Sequence, residues 1–268
     1  MMLKNFKILI LFITLIFFQS HISLAEELYP NTLTSNLVLQ SIEEMPAGGG
    51  YVLNDLPAQK LADAFYWQYL SNGEMALFVD PLVASPSYCT TATYIVFYKT
   101  LLKFWQNQNI FPSKDILKKL KPQLEADGLR IWGRWNANGP GTAKFFYDSQ
   151  IGTNFDDLAQ AKPGDFLKIF WNDEVGTNER GHSVIFLGTE IIDGVQKIHF
   201  WSSNKSTNGY SKMTINRSDA VRLLFSRLDR IENINKIVEL SLNDDFLTSM
   251  LSTRSNWEEV REKTGIKN

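Results

Sequence analysis

The clearest hydrophobic pattern in the chain comes from three short apolar runs that follow one another in its C-terminal half. They read "PGDFLKIFW" at 163–171, "GHSVIFLG" at 181–188 and "VQKIHFWSSN" at 195–204. Each run is rich in β-branched or aromatic residues and is bounded by a Pro-Gly, Gly or Asp-Gly signal, which is typical of strands joined by tight turns. The pattern therefore predicts an antiparallel sheet.

Helices are predicted mainly before this sheet. Pro57 suits a first helical turn and Asn72-Gly73 supplies a stop signal, so one helix is expected over residues 57–70. Further helices are expected near 114–120, near 123–126 and over 219–230, and a turn-dense loop is expected over 132–147, leading into a short helix. Helices first and an antiparallel sheet later indicate an α+β fold.

Another helix is predicted inside "SPSYCTTATYIVFYKTLLKFW", residues 85–105. Pro86 cannot continue an earlier helix and Ser87 is a good N-cap, so Cys89 is expected at the second helical position. Apolar residues cover this helix on nearly all sides, which is typical of a buried helix. The segment "TTATYIV" also has strand propensity, so a strand is the alternative.

Residues 1–25 have the layout of a signal peptide. Two lysines precede an apolar run over 8–18, and the small residues Ser23 and Ala25 stand where a signal peptidase would read them. The run is too short to span a bilayer comfortably as a helix, and an uncleaved anchor is the alternative. We expect a secreted or periplasmic protein with no stable membrane anchor after cleavage.

The remaining chain, residues 26–268, is long enough for one domain with a sizeable core and short for two. An extended arm is expected over 26–50, and a single domain with C-terminal helices over 51–268. Without the two N-terminal lysines, 25 of the 27 basic residues remain, and together with 29 acidic residues they give a formal charge of −4. Neither nucleic acid nor an anionic membrane is therefore expected as a partner, and we expect a monomer.

Cys89 is the only cysteine, so the chain can form no internal disulfide. In an oxidising compartment an unpaired thiol is a liability unless it is buried or used. At a helix start, unpaired N–H groups and the helix dipole stabilise a thiolate, and they can stabilise an oxyanion on a substrate. Cys89 is therefore a candidate nucleophile; the alternative is a buried cysteine that acts as a small hydrophobe.

A nucleophilic cysteine needs a base, and the chain after residue 25 contains two histidines, His182 and His199. Asp193-Gly194 is a strong hairpin signal between their strands. His182 lies eleven residues before Asp193 and Asn204 lies eleven residues after it. A three-residue tip centred on Asp193 would place those two directly opposite each other, whereas His199 would pair with Leu187 and point to the other face.

Asn204 is the preferred partner because its amide can hold the imidazole in the tautomer and orientation that a thiolate requires. A one-residue slip would place Ser203 or Lys205 opposite His182 instead. A two-residue Asp193-Gly194 turn would select Lys205. The turn alone therefore does not decide the register.

Together these features resemble the papain-like bacterial cell-wall hydrolases of the NlpC and CHAP type, over residues 86 to about 204. "CTTATYIVF" resembles a relaxed form of their Cys-Ser-Gly helix start, and "KPGD" and "GHSVIFLG" resemble their Pro-Gly-Asp and His-Val-x-Ile-x-x-Gly patterns. The chain departs from the family at Tyr88, where an Asp often precedes the cysteine, and in its long spacing from nucleophile to base.

The resemblance implies a papain-like α+β fold with Cys89, His182 and Asn204 at the nucleophile, base and orienting positions. It implies a cysteine hydrolase that cleaves an amide bond in peptidoglycan or a related peptide, as an amidase or endopeptidase, and no cofactor is expected. Two other functions stay open. They are a non-catalytic secreted protein that binds a glycan or peptide, and a thiol acyltransferase on the same fold.

Three residues near the candidate site are candidates for substrate binding. Trp135 and Asn136 lie in the predicted loop, and Trp201 lies toward the end of its strand. These residues could form a cleft wall that receives a glycan or a peptide stem, whereas the alternative places the tryptophans in the core. A metal site between the two histidines and Glu190 is disfavoured because the expected register puts the histidines on opposite faces.

Overall fold

The structure is a computed structural model that describes residues 33–267. The signal peptide expected over residues 1–25 and the first part of the expected arm, residues 26–32, lie outside the described residues. Within the described part of the chain, no helix is long and apolar enough to cross a membrane.

The longest helix within residues 33–267 spans Cys89–Gln108. The α-helices are α1 (Leu33–Glu43), α2 (Leu56–Ala64), α3 (Cys89–Gln108), α4 (Lys114–Leu120), α5 (Arg130–Asn136), α6 (Gly141–Ser149), α7 (Asp245–Ser249) and α8 (Trp257–Lys263). Short 3₁₀ segments lie at Leu158–Gln160, Arg217–Asp219 and Ile231–Val238. Helix α3 contacts helices α1 and α5 as well as the main sheet.

The strands form one large antiparallel sheet and two small ones. They are β1 (Gly48–Gly49), β2 (Phe65–Tyr69), β3 (Met75–Val79), β4 (Thr153–Phe155), β5 (Phe166–Phe170), β6 (Val175–Gly176), β7 (His182–Ile192), β8 (Val195–Asn204), β9 (Gly209–Asn216), β10 (Arg222–Arg227) and β11 (Arg254–Ser255). The large sheet has the order β1-β9-β8-β7-β5-β10-β4. The predicted α+β class is confirmed, and β5, β7 and β8 cover the three apolar runs.

Helix α3 is buried, as its apolar pattern predicted. Tyr94, Ile95, Phe97 and Leu101 are all fully buried although they point in different directions around the helix. Its threonines remain compatible with a helix because their hydroxyls bond backbone carbonyls one turn earlier; Thr100 Oγ1, for example, donates to Val96 O at 2.8 Å. The strand alternative for "TTATYIV" is therefore wrong, and burial outweighs its strand propensity.

The helix expected over 57–70 is too long at its C-terminal end. Helix α2 stops at Ala64, and strands β2 and β3 then pair as a hairpin, with Phe65 opposite Val79. Asn72-Gly73 lies in the turn of this hairpin, where Gly73 has φ +82°. The supposed helix stop is thus a hairpin turn, and the aromatic-rich "FYWQY" follows its strand propensity.

The helix expected over 219–230 is also wrong, because strand β10 occupies its centre. β10 lies between β4 and β5 in the large sheet. Leu223 and Phe225 pack into one apolar cluster, whereas Leu224 packs into another on the opposite face. A strand buried on both faces gives a continuous apolar run, which is easily mistaken for one side of a helix.

Three shorter segments also differ from expectation. The supposed arm forms helix α1 over 33–43, where Ser41 and Ile42 are buried, because its apolar positions pack against α3. The loop expected over 132–147 is confined to 137–140, between α5 and α6. No helix forms over 123–126, whereas α4 is confirmed at Lys114–Leu120.

Candidate active site

The candidate nucleophile stands at the first residue of helix α3. The N-cap is Tyr88, one residue later than predicted, and its backbone N–H donates to Thr91 Oγ1 at 3.0 Å. Ser87 instead donates its hydroxyl to Ser203 Oγ at 2.7 Å, which ties the helix start to strand β8. The thiol of Cys89 is half-buried, and its N–H is among the first four of the helix, which have no partner within it.

A β-bulge decides which residue faces the candidate base. The hairpin tip is a two-residue turn, since Ile192 pairs with Val195 and both turn residues have positive φ. That register continues to Gly188, so His199 pairs with Gly188 and not with Leu187 as expected. Continued without interruption, it would bring Lys205 opposite His182.

The register shifts by one residue between Phe186 and Gly188, so that Ile185 pairs with Trp201. Beyond the bulge the strands therefore run in the register expected for a three-residue tip, which brings His182 opposite Asn204. The expected partner is confirmed, although the expected three-residue tip is wrong. An extra residue within the strand, and not the turn, produces the shift.

Asn204 fixes both the orientation and the tautomer of His182. Its Oδ1 lies 2.9 Å from His182 Nε2, while its Nδ2 donates to Ser202 O at 3.1 Å and to Ser211 Oγ at 3.0 Å. Because those acceptors surround Nδ2, the amide cannot be turned around without losing them. Nε2 therefore carries the proton in the neutral ring, and Nδ1 has its lone pair free for the thiol.

Cys89 and His182 shift each other's ionisation. Burial raises the pKa of the Cys89 thiol, but the hydrogen bond and charge of His182, supported by Lys168, outweigh burial and lower that pKa to about 7. Burial lowers the pKa of His182, but the hydrogen bond and charge of Cys89 and the hydrogen bond to Asn204 outweigh burial, so the pKa of His182 lies above its ordinary value. Both shifts favour a thiolate–imidazolium pair.

An open cleft of about 500 Å³ gives access to this pair. Its lining includes phenol, amide, ammonium, indole and guanidinium groups from Tyr51, Tyr88, Asn136, Lys168, Trp171 and Arg180. Trp171 is 43% exposed, so a large part of its ring faces solvent beside the cleft. The cleft can therefore admit a substrate with both apolar and charged groups.

Of the candidate substrate-binding residues, only Asn136 lines this cleft. Its Oδ1 accepts a hydrogen bond from Thr90 Oγ1 at 2.6 Å. Trp135 is fully buried and Trp201 is 4% exposed, so neither can line an open cleft. Both predictions are wrong because these rings complete the core, where Trp201 stacks on Tyr210 with centroids 5.9 Å apart.

Three charged residues beside the cleft were missed from the sequence. Lys168 lies in the centre of β5, and its unusual position within a buried apolar strand was the available signal. Asp127 accepts hydrogen bonds from Asn136 Nδ2 at 3.0 Å and Asn138 N at 3.4 Å. Glu179 is buried and accepts from Trp171 N at 2.7 Å, but nothing in its local sequence indicated this role.

The second histidine lies away from the cleft on the same hairpin. His199 Nδ1 lies 2.8 Å from Thr214 Oγ1, and its Nε2 lies 3.4 Å from Glu190 Oε2. Among residues 33–267, no group of three or more His, Cys, Asp or Glu side chains is arranged to hold a metal ion. His182 and His199 thus contact different side chains, and only His182 lines the cleft.

Comparison of the chain with protein-family models, with curated proteins and with solved structures found no match.

Proposed function

We propose that this protein is a secreted cysteine hydrolase of papain-like architecture that cleaves an amide bond in bacterial peptidoglycan. The observation that carries the proposal is the series of contacts from Cys89 to His182 to Asn204 beside an open cleft. A nucleophile, a base and a group that orients the base are the parts required for acyl transfer through a thiol.

In the proposed reaction, the Cys89 thiolate attacks the amide carbonyl carbon and forms a carbon–sulfur bond. His182 gives its Nδ1 proton to the nitrogen of the leaving amine as the carbon–nitrogen bond breaks. Water then attacks the thioester while His182 takes one of its protons, and the acid leaves as the thiolate is restored. Asn204 keeps the ring in place through both steps because its Oδ1 accepts a hydrogen bond from Nε2–H.

The developing oxyanion has donors within reach of the same cleft. The N–H of Cys89 points out of the helix start, where the helix dipole also favours negative charge. The phenols of Tyr51 and Tyr88 line the cleft, and burial followed by the charge of Cys89 raises the pKa of both. Both hydroxyls therefore stay protonated at neutral pH and able to donate.

The arrangement of elements supports the papain-like architecture. The nucleophile begins a long buried helix, and that helix packs against an antiparallel sheet. The base and its amide partner stand on the paired strands β7 and β8, at the end of the sheet next to the helix start. This order agrees with the family resemblance in the sequence motifs.

The cleft chemistry supports a peptidoglycan substrate. The exposed ring of Trp171 offers a flat surface on which a sugar can stack. Asp55 and Arg180 add one acidic and one basic group to the lining. Peptide stems carry free amines and carboxylates, so charges of both signs suit them.

The direct test is incubation of the purified protein with purified peptidoglycan, followed by mass spectrometry of the soluble fragments. We expect fragments with new amine and carboxyl ends, released by the wild-type protein and not by Cys89→Ala. Equal release by the Cys89→Ala protein would refute the proposal. Transfer of an acyl group to an added amine, with no hydrolysis, would favour the acyltransferase instead.

Export is a separate part of the proposal and rests on residues 1–25 alone. N-terminal sequencing of the protein recovered outside the cytoplasm is expected to begin at Glu26. Recovery of the intact chain in the membrane fraction would favour the uncleaved anchor.

A further inference from the structure

Lys168 is an ammonium group buried beside the candidate nucleophile. It is 4% exposed and stands in the centre of β5, where all five residues are buried. Among the described residues, Ala137 O, 3.3 Å from Nζ, is its only hydrogen-bond acceptor. A buried ammonium has three donors and a large desolvation cost, so a position with one long hydrogen bond requires a reason.

The pairing of β5 with β7 places Lys168 beside Cys89 and His182. In the β5–β7 register Lys168 lies directly opposite Ser183, the residue after His182, and Lys168 lines the same cleft as Cys89 and His182. Gly181, just before His182, makes room for the lysine stem. A Cβ atom built on that glycine would lie 2.8 Å from both Cγ and Cε of Lys168.

Other charged groups around Lys168 come from three segments of the chain. Asp127 precedes α5, and its carboxylate already accepts hydrogen bonds from two amides. Glu179 and Arg180 precede β7, and Glu179 accepts backbone hydrogen bonds from Trp171 and Gly181. Burial lowers the pKa of Lys168, and the negative charges of Cys89, Asp127 and Glu179 oppose that shift and favour the ammonium form.

We propose that Lys168 is an electrostatic positioning residue that sets the pH range in which the Cys89–His182 pair reacts. Its positive charge stabilises the thiolate and opposes the imidazolium at the same time. It therefore lowers the pKa of Cys89 and also the pKa of His182. Removal of the charge should move both pKa values upward, a result that loss of packing alone does not produce.

The test compares the wild-type protein with Lys168→Met, which keeps a similar length and suits a buried site. The rate of iodoacetamide alkylation of Cys89 against pH is measured first, because this rate does not depend on the proposed hydrolase function. We expect its midpoint to rise by about one pH unit. The pH profile of kcat/KM, which does rest on that function, should shift on both its acid and its basic limb to higher pH.

Two control variants separate charge from folding. Lys168→Arg retains the charge and should retain the wild-type midpoint. Lys144→Met removes another partly buried lysine, one that pairs with Asp148 and Asp244, and should lower stability without moving the midpoint. Lys168→Gln replaces Lys168→Met if the latter does not fold.

Three outcomes would overturn the proposal. An unchanged alkylation midpoint in folded Lys168→Met or Lys168→Gln would assign Lys168 a structural role. A higher KM with unmoved pH limbs would make it a substrate contact. A shift of the two limbs in opposite directions would mean that its charge does not act on both members of the pair.

Discussion

The β7–β8 hairpin carries two histidines, His182 at its open end and His199 midway along β8, yet only His182 lines the cleft. At the cleft end, His182 has an amide oxygen on one ring nitrogen and a thiol near the other. Towards the tip, His199 has a threonine hydroxyl on one nitrogen and an exposed carboxylate near the other. The residue type is the same, so the neighbours of the two nitrogens determine what each ring can do.

The bulge between the two ends accounts for the difference in partners. With the register of the tip continued, His182 would face Lys205, whose ammonium cannot accept a hydrogen bond from Nε2–H. The one-residue shift brings Asn204 to that position instead. The different environments of the two rings therefore depend on the bulge as much as on the position of each histidine in its strand.

The largest predicted effect comes from the cleft end. His182→Ala and Cys89→Ala should each lower kcat/KM by about 10⁴-fold or more, because each removes a member of the proposed catalytic unit. His199→Ala should change kcat/KM by less than about twofold, since its partners lie at the surface. Steady-state kinetics, with thermal unfolding to verify folding, check both. Similar losses from both histidines would contradict the separation of the two ends.

Asn204→Ala should have a smaller effect, a loss of about 10²-fold in kcat, because an orienting amide makes no bond with substrate. Asn208→Ala is the matched control; its Oδ1 accepts from Tyr51 N at 3.2 Å and does not contact the imidazole. Adding Asn204→Ala to Cys89→Ala should cost no further activity. A larger loss of kcat from Asn208→Ala than from Asn204→Ala would show that Asn204 is not the amide that orients His182.

Substitutions at the bulge should have the smallest effect on rate and a measurable effect on stability. Gly188 has φ +142°, which L-residues rarely adopt, and a Cβ there would meet nothing within 4 Å. Gly188→Ala should therefore lower the free energy of unfolding by about 1–3 kcal/mol through backbone strain alone. It should also lower kcat about tenfold if the bulge holds the register.

Gly194→Ala at the tip is the control for this bulge variant. Gly194 also has positive φ and open space around it. Its substitution should lower stability and leave kcat unchanged. Urea unfolding and steady-state kinetics measure both quantities, and equal kcat losses at the two glycines would show that the bulge has no special role.

The sequence was sufficient for features that depend on local pattern. The β-strand runs and the buried helix that begins at Cys89 follow from composition, boundaries and periodicity. The Asn204 register was preferred for its chemistry, and the structure has it for another reason, the bulge. Gly188, a glycine inside an apolar strand pattern, was the available signal for this bulge.

Features that depend on distant contacts were not predictable from local sequence. Trp135 and Trp201 have the same composition signals whether they line a cleft or complete a core, and only packing separates the two. Glu179 lines the cleft and accepts hydrogen bonds from the backbone N–H groups of Trp171 and Asn172, seven to eight residues earlier in the chain. The apolar run of strand β10 was mistaken for a helix because the strand is buried on both faces.

The most direct test of the account is the rate of Cys89 alkylation by iodoacetamide between about pH 5 and pH 10, in the wild-type, His182→Ala and His199→Ala proteins. Because the folded pKa of Cys89 is lowered, its thiolate persists above about pH 7 and is lost below it. We predict a midpoint near 7 for wild type and His199→Ala, and a higher midpoint, towards about 8.5, for His182→Ala. A wild-type midpoint near 8.5, or labelling only after unfolding, would contradict the account.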